Sequence, residues 1–395
     1  MKRRQLLHFG AGLTGAALLS AHAPGWSQGV AKRAAGAGDR IVILVELKGG
    51  NDGLNTVVPF ADPLYPQLRP TLALAQDQVL RLDDRTGLHP QLRPMLALWE
   101  KNELAIVQGV GYPQPNLSHF RSIEIWETAS RSNEYLTEGW LARGLKTGTG
   151  APSAFTADGV RIGSSDLGPL AGARAVSLTN PEVFIDQARL ASPRAAQGNA
   201  ALQHLLRVEA DLSQAAEGLR ADAFAFTTTF PQGQFGNAVR AAAQVVASQR
   251  GRAGVPVITL TLGSFDTHQN QANLHANLLR QLAEGMLALR SALTELGAWD
   301  RTLVMTFSEF GRRPRQNQSN GTDHGTAAPH FIAGGAVRGG LYGQPPELAR
   351  LDPAQNLAFT TDFRQLYATV AQDWWGVDPE IVVRGRFEPL RFLAT

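Results

Sequence analysis

The sequence predicts an α/β protein in which a mostly parallel sheet is covered by helices on both faces. Three apolar runs rich in β-branched residues are typical of buried strands: Ile41–Leu47, Val255–Leu262 and Thr302–Phe307. Each run ends in a polar loop, and leucines recur at helical spacing between Leu278 and Leu296. Strand, polar loop and helix therefore alternate, which is the pattern of a parallel sheet with helical crossovers.

Four further segments complete the predicted fold. Leu104–Gln108 reads as a strand, and Ser118 is a suitable N-cap for a helix that follows it. Phe331–Ala333 is a candidate fifth strand, and Phe363–Trp374 is expected to form a closing helix. The alanine-rich residues 196–250 are expected to be mostly helical.

The N-terminal segment has the composition of an export signal. Residues 1–27 combine a basic start, a short apolar run and small residues. Arg3 and Arg4, followed by Gln5-Leu6-Leu7, resemble a twin-arginine signal, which the translocation machinery reads as an address. The sequence therefore predicts the twin-arginine translocation machinery as a partner and a periplasmic or secreted location.

This pattern divides the chain into three parts. A signal peptide (1–27) precedes a Gly/Ala-rich linker (28–39) and a single domain (40–395). The apolar run of the signal is short and rich in Gly and Ala, and no later segment reaches the ~20 apolar residues of a membrane helix. We therefore expect no stable membrane span after processing; a retained N-terminal anchor is the alternative.

Charge and cysteine content exclude several classes of function. The chain has 37 basic and 34 acidic residues, but three of the basic ones, Lys2, Arg3 and Arg4, lie in the predicted signal. The rest has 34 of each, a net charge of zero, so bulk charge gives no support for nucleic acid as a partner. The absence of cysteine excludes disulfides, cysteine zinc sites, iron–sulfur clusters and cysteine nucleophiles.

Polar side chains gather in the loops that follow the predicted strands. Because ligands bind at the carboxyl ends of the strands in such sheets, we expect these side chains to form one site. The candidates are Asn51 and Asp52 after the first strand, Asn116, Ser118 and His119 after the second, Asp266 and His268 after the third, and Glu309, Arg312, Asp323 and His324 after the fourth.

The residue types in these loops predict a metal centre beside a nucleophile. Carboxylates and imidazoles without thiols suit a divalent zinc, manganese, magnesium or calcium ion. A serine at a helix start suits a nucleophile, because the helix end favours developing negative charge. Structural interpretations also stay open. Asp52 could be a turn residue and Ser118 an N-cap, Asp323 and His324 could belong to a surface loop, and His119 and Arg312 could be pairing groups.

Five strings carry a family resemblance. They are "LKGGNDGLNTVVP", "GYPQPNLSHFRSIEIWETA", "GSFDTHQNQ", "SEFGRRPRQN" and "GTDHGTAAPHFIAGG", in this order. Together they resemble domain-of-unknown-function family 1501 over roughly residues 40–390. That family is similar to the alkaline phosphatase and sulfatase superfamily. The resemblance implies an alkaline phosphatase-like three-layer sandwich with one or two metal ions at the strand ends.

The resemblance also implies a role for each candidate residue. It implies a metal-dependent hydrolase or transferase of phosphate or sulfate esters, acting on a small-molecule or envelope substrate. The implied metal ligands are Asp52, Asp266, His268, Glu309 and His324, with Asp323 as a spare ligand or an orienting partner. Ser118 is the implied nucleophile, and Arg312 or His119 is expected to steady the transferred group.

Two departures keep alternatives open. Phe310 stands where a two-zinc phosphatase has a histidine, and the preceding acid is Glu309 rather than an aspartate, so a single metal or an altered pair is possible. The residues after Ser118 do not form the sulfatase pattern that makes formylglycine. The competing functions are a non-catalytic envelope binding protein on the same fold and a metal-free serine esterase using Ser118, His324 and Asp323. The esterase lacks a G-x-S-x-G elbow.

Overall fold

A computed structural model describes residues 39–147, 157–179, 224–249, 255–345 and 347–394. The predicted signal peptide (1–27) and much of the alanine-rich segment 196–250 lie outside these residues. None of the helices in the described part of the chain has the length and apolar character that a membrane crossing needs.

The described residues form twelve strands in two sheets. The strands are β1 (Ile41–Leu47), β2 (Val57–Val58), β3 (Leu80–Arg81), β4 (Gly87–Leu88), β5 (Leu104–Gly111), β6 (Gly159–Ile162), β7 (Ala175–Leu178), β8 (Val257–Leu262), β9 (Thr302–Phe307), β10 (Ala328–Ala333), β11 (Gly340–Tyr342) and β12 (Thr361–Asp362). The small antiparallel sheet has the order β2-β4-β3.

The α-helices of the described residues vary from one turn to seven. They are α1 (Gly53–Thr56), α2 (Leu64–Leu68), α3 (Leu96–Trp99), α4 (His119–Thr128), α5 (Trp140–Lys146), α6 (Gln234–Ser248), α7 (Gln271–Glu295), α8 (Phe363–Thr369) and α9 (Pro379–Val383). The predicted closing helix starts as expected at Phe363, but from Val370 to Trp375 it continues as a π-helix.

The large sheet is mixed and mostly parallel, which confirms the predicted fold class. Its order is β11-β5-β10-β9-β1-β8-β6-β7, and β12 pairs with the end of β5. Among the described strands of this sheet, β10 alone runs antiparallel to its neighbours, β5 and β9. The predicted strands Ile41–Leu47 and Thr302–Phe307 match β1 and β9 residue for residue.

The central strand shows why this sequence builds a three-layer structure. All seven residues of β1 are buried, and successive side chains of a strand point to opposite faces. Ile41, Ile43 and Val45 belong to the apolar core that includes residues of α6 and α7. Val42 and Leu44 belong to the other core, with residues of α4, α5 and α8. An apolar run, interrupted in β1 only by the buried Glu46, therefore fills both faces.

The topology brings four loops to one edge of the large sheet. β1, β5, β8 and β9 are co-directional, so their carboxyl ends share that edge. Because β10 runs the other way, its amino end and the loop before it reach the same edge. The polar loops singled out in the sequence all lie there.

Candidate metal centre

The carboxylate of Asp266 is the meeting point of the site. Its Oδ1 lies 2.6 Å from Arg312 Nη2, 3.0 Å from His268 Nε2 and 3.1 Å from His324 Nε2. Its Oδ2 lies 3.4 Å from His119 Nε2. Within the described ranges, ligand atoms of His119, Asp266 and His324 lie within 4.8 Å of one another, close enough to hold one metal ion.

Each of the three histidines is held by its other ring nitrogen. The Nδ1 contacts are His119 to Glu309 Oε1 at 2.8 Å, His268 to Asp323 Oδ1 at 3.2 Å and His324 to the Leu117 carbonyl at 2.8 Å. An oxygen acceptor on one ring nitrogen fixes the ring and its tautomer, which is how proteins orient metal-binding histidines. The three Nε2 atoms therefore converge on Asp266 with fixed rings.

The hydrogen-bonding inventory of this cluster fits a cation. A carbonyl oxygen only accepts, so His324 Nδ1 carries a proton, and the neutral ring then presents a lone pair at Nε2. The same reasoning applies to His268, whose Nε2 lies 3.0 Å from that of His324. His119 Nε2 is buried without a hydrogen-bond partner. The Nε2 lone pairs therefore face one another and the Asp266 carboxylate. A shared proton or a metal ion stabilises such an arrangement.

Charge near the cluster keeps Asp266 anionic. Partial burial acts to raise the pKa of Asp266, but the hydrogen bond and charge of Arg312 outweigh it and bring that pKa to about 2. The hydrogen bond to Glu309 raises the pKa of His119, whereas burial lowers the pKa of His324. A permanent anion therefore stands among the three imidazoles.

Arg312 lies beneath the cluster rather than at its surface. Its side chain is fully buried, and Nε donates to the Gly50 carbonyl at 2.8 Å and Nη1 to the Thr322 carbonyl at 2.8 Å. Nη2 donates to the carbonyls of Gly49 and Phe265 as well as to Asp266. The predicted role of steadying a transferred group needs an accessible guanidinium, so we assign Arg312 a positioning role instead.

Glu309 is placed as a support for His119. It is 1% exposed and accepts hydrogen bonds from the Gly49 amide at 2.9 and 3.1 Å. This close approach depends on glycine, because Gly49 has φ +119° and a Cβ there would lie 2.4 Å from the Asp266 nitrogen. Glu309 and Asp323, both predicted as ligands, are thus positioned to orient His119 and His268.

The structure does not bring Asp52 to the cluster. Asp52 is buried, and its Oδ2 accepts from Arg69 Nη1 at 2.5 Å and from Gln271 Nε2. Burial acts to raise the pKa of Asp52, but the charge and hydrogen bond of Arg69, together with His275 and Gln271, outweigh it and the pKa is lowered. The Asp52 carboxylate therefore already has a buried cationic partner. That partner, the fully buried Arg69, was not predicted, because nothing in the sequence distinguishes it from other arginines.

Ser118 stands at the exposed start of α4. It occupies the N-cap position of this ten-residue helix, but its side chain makes no capping hydrogen bond. Its chain neighbours on both sides contact the cluster, Leu117 through its carbonyl and His119 through its ring. Ser118 therefore stands in the chain between two residues that contact the cluster, and its hydroxyl makes no capping hydrogen bond.

The competing esterase arrangement is not formed. Asp323 contacts His268 Nδ1, whereas the Nδ1 of His324 is bonded to a backbone carbonyl. A catalytic triad needs its acid on the nitrogen of the same histidine that activates the serine. Ser118, His324 and Asp323 thus do not form such a triad, because Asp323 contacts a different histidine.

Phe310 gives the site an apolar wall. Its ring centroid lies 4.9 Å from that of His119 and 4.6 Å from that of His324, and the side chain is buried. Phe310, at the position where the resemblance implied a histidine for a two-zinc site, offers no ligand atom. Among the described residues, one group of imidazole and carboxylate ligand atoms lies close enough together to hold an ion.

Comparison with known proteins places the chain in a family. Residues 80–385 match the family model described as "Protein of unknown function (DUF1501)". The chain belongs to the DUF1501 family. No curated protein matches the sequence. The DUF1501 match contains His119, Asp266, His268 and His324, whereas Asp52 lies before it.

Solved structures similar to this DUF1501 protein share little sequence with it. A protein in the alkaline phosphatase superfamily from Vibrio parahaemolyticus is 10% identical, with a TM-score of 0.41 over 88% of this chain and 70% of that one. The sulfatase PsFucS1 from Pseudoalteromonas sp. is 11% identical, with a TM-score of 0.40 over 89% and 71%. The phosphonate monoester hydrolase SpPMH from Silicibacter pomeroyi is 14% identical, with a TM-score of 0.39 over 90% and 77%.

Proposed function

We propose that this protein is an exported metal-dependent hydrolase or transferase that acts on phosphate or sulfate esters, with Ser118 as its nucleophile. The observation that carries the proposal is the convergence of His119, His268 and His324 on Asp266, with Ser118 directly preceding His119 in the chain and making no side-chain capping hydrogen bond. A pre-oriented set of three imidazoles and a carboxylate is costly to assemble without a cation to bind.

The donor set indicates which residues hold the ion and which support them. His119, His268 and His324 would bind through Nε2 and Asp266 through its carboxylate, while Glu309 and Asp323 hold two of the rings. Imidazole and carboxylate ligands favour zinc or manganese over calcium and magnesium, which prefer oxygen alone. A bound divalent ion supplies Lewis-acid stabilisation of charge on a phosphoryl or sulfuryl oxygen.

The chain provides access and orientation for an ester. The side chains of Asp266 and His268 are 46% and 42% exposed, so one side of the cluster faces solvent. Ser118 is also exposed, at the amino end of α4, where the helix favours the negative charge that develops during transfer. Ser118 Oγ would form the new bond to phosphorus or sulfur as the bond to the leaving alcohol breaks.

Location and partners are part of the proposal. The basic start and apolar run of residues 1–27 support export by the twin-arginine translocation machinery to the periplasm or beyond. The substrate would be a small-molecule or envelope ester. A fusion of residues 1–27 to a reporter that folds before export tests this, and loss of export on changing Arg3 and Arg4 to lysine is the expected result.

Metal content and ester hydrolysis test the catalytic proposal together. We expect stoichiometric metal by elemental analysis of the folded protein, and turnover of some members of a phosphate and sulfate ester panel. Ser118→Ala should keep the metal and lose turnover, whereas Asp266→Ala should lose both. Ser319→Ala is the control, at an exposed serine whose hydrogen bonds are made by its backbone amide and carbonyl. A metal-free wild-type protein after soaking with zinc and manganese would refute the proposal.

A second candidate function is a non-catalytic envelope binding protein on the same fold. The burial of Arg312 favours it, because the cation predicted to grip a transferred group is committed to backbone carbonyls. Under this function the double variant Ser118→Ala, Asp266→Ala would fold and still bind its envelope ligand. Loss of turnover in Ser118→Ala alone would exclude it.

A further inference from the structure

Behind the candidate metal centre lies a buried polar network that the proposed chemistry does not use. Its core is the ion pair of Asp52 and Arg69, both fully or almost fully buried, with 2.5 Å between Oδ2 and Nη1. Arg69 also donates to the carbonyls of Pro314 at 2.8 Å and Arg313 at 3.0 Å. The pair therefore anchors the chain just after Arg312 to the loop that follows β1.

Gln271, at the start of α7, connects this ion pair to two loops of the metal centre. Its Nε2 donates to Asp52 Oδ2. Its Oε1 accepts from Thr322 Oγ1 at 2.6 Å and from Thr267 Oγ1 at 3.1 Å. Thr267 directly precedes His268, and Thr322 directly precedes Asp323 in the loop that carries His324.

The direction of this hydrogen-bond chain is fixed by the carboxylate. An ionised carboxylate only accepts, so the amide of Gln271 must turn Nε2 to Asp52 and Oε1 to the two threonines. Both hydroxyls must then donate to the same oxygen, which draws their loops together. A backbone hydrogen bond also joins the two loops, since the Thr322 amide donates to the Thr267 carbonyl at 3.2 Å.

A second contact fixes the same face of α7. His275 lies one helical turn after Gln271, and its Nε2 is 2.9 Å from Asn51 Oδ1. Gln271 and His275 thus hold Asp52 and Asn51, two consecutive residues of the loop after β1. The network therefore joins α7 to the loop after β1 through two side-chain contacts, one at Asp52 and one at Asn51.

We propose that the buried Asp52–Arg69 pair acts through Gln271 to position the loops of His268 and His324, and so sets the affinity of the centre for its metal ion. Asp52 and Gln271 are positioning residues that touch no ligand of the ion. This inference rests on the metal centre proposed above.

Two matched pairs of variants test it, with zinc and manganese as the probes. Gln271→Met removes both ends of the connection, and Gln244→Met is the control at an equally buried glutamine of α6. Thr322→Val removes one donated hydrogen bond at constant shape, and Thr322→Ser keeps the hydroxyl. The dissociation constant of each full-length protein is measured by calorimetry, and folding is checked by thermal unfolding.

We expect Gln271→Met and Thr322→Val to weaken metal binding by about tenfold, as loss of an orienting contact does elsewhere. Gln244→Met and Thr322→Ser should bind like the wild type. If Gln271→Met does not fold, the Thr322 pair decides alone. Wild-type affinity in both Gln271→Met and Thr322→Val would overturn the inference and leave the metal centre standing. A wild-type protein that binds neither ion would overturn both.

Discussion

Glu309 Oε1 lies 2.8 Å from His119 Nδ1, although the two residues are 190 positions apart in the chain. The contact joins the loop after β9 to the first residue of α4, across the edge of the large sheet. It turns His119 so that Nε2 faces Asp266. His119, predicted to steady a transferred group, is thereby placed as a candidate metal ligand. Glu309, predicted as a ligand, is placed to support it.

Replacing this acid by its amide tests the arrangement. In Glu309→Gln, an amide NH₂ would face either the Gly49 amide or His119 Nδ1–H, and a donor cannot satisfy a donor. We expect zinc affinity to fall by about tenfold, measured by calorimetry. Glu103→Gln, at a half-buried glutamate paired with Arg290 elsewhere, should leave the affinity unchanged. Equal affinity in both variants would argue against a supporting role.

Arg312→Lys should destabilise the protein and abolish metal binding. A lysine ammonium has three donors and cannot reproduce the fork that reaches the carbonyls of Gly50 and Thr322 together with Asp266. We expect a loss of roughly 3 kcal/mol in the free energy of unfolding, measured with urea. Arg143→Lys is the control, since Arg143 likewise donates to backbone carbonyls, three in all, but contacts no residue of the site. It should lose stability and keep the metal.

Gly49→Ala should disrupt the tight turn beneath Asp266. The backbone of Gly49 has φ +119°, and an added Cβ would lie 2.4 Å from the Asp266 nitrogen. We expect a loss of about 2 kcal/mol in unfolding free energy, with weakened metal binding. Gly263→Ala, where the new methyl group meets open space, is the matched variant. The interpretation fails if the two alanines have equal effects.

A buried carboxylate gives the stability a specific pH dependence. Burial raises the pKa of Glu127 to about 7, in a cluster where Glu46, Glu127 and Asp166 share Arg161. An acid whose pKa is higher in the folded protein contributes stability below its ordinary pKa and loses it as the pH rises through the folded value. Stability should therefore fall between about pH 4.5 and pH 7, by up to roughly 3 kcal/mol.

Glu127→Gln removes this titration and tests the assignment. Urea unfolding at pH 5 and pH 8 should show a smaller loss with rising pH in the variant than in the wild type. Glu124→Gln, at an exposed glutamate of the same helix, should keep the wild-type slope. The same slope in all three proteins would contradict a buried proton at Glu127.

The sequence was sufficient for the elements that carry the site. The apolar runs before Gly49, Asp266 and Glu309 predicted β1, β8 and β9, because strands buried on both faces need such runs. Strands β6 and β7, four residues each, and the small sheet were not predicted. They are too short for periodicity to show.

The sequence could not show which carboxylates of the site would bind the metal and which would orient another ligand. Glu309, Asp323 and Asp52 are all carboxylates in polar loops, and only their partners distinguish them. Those partners lie far away in the chain, and one is a backbone carbonyl, that of Leu117. Residue type predicts that a group can bind a metal, whereas geometry decides whether it binds one or orients another ligand.

The position of β1 in the sheet has a consequence for how the chain folds. β1 is among the first described elements, yet both its neighbours, β8 and β9, come more than 200 residues later. Contacts of such long range are slow to form, because loop closure must precede them. During synthesis the apolar strand Ile41–Leu47 is therefore made long before its sheet partners and stays unpaired until they follow. The three-histidine cluster can assemble only after most of the polypeptide has been made.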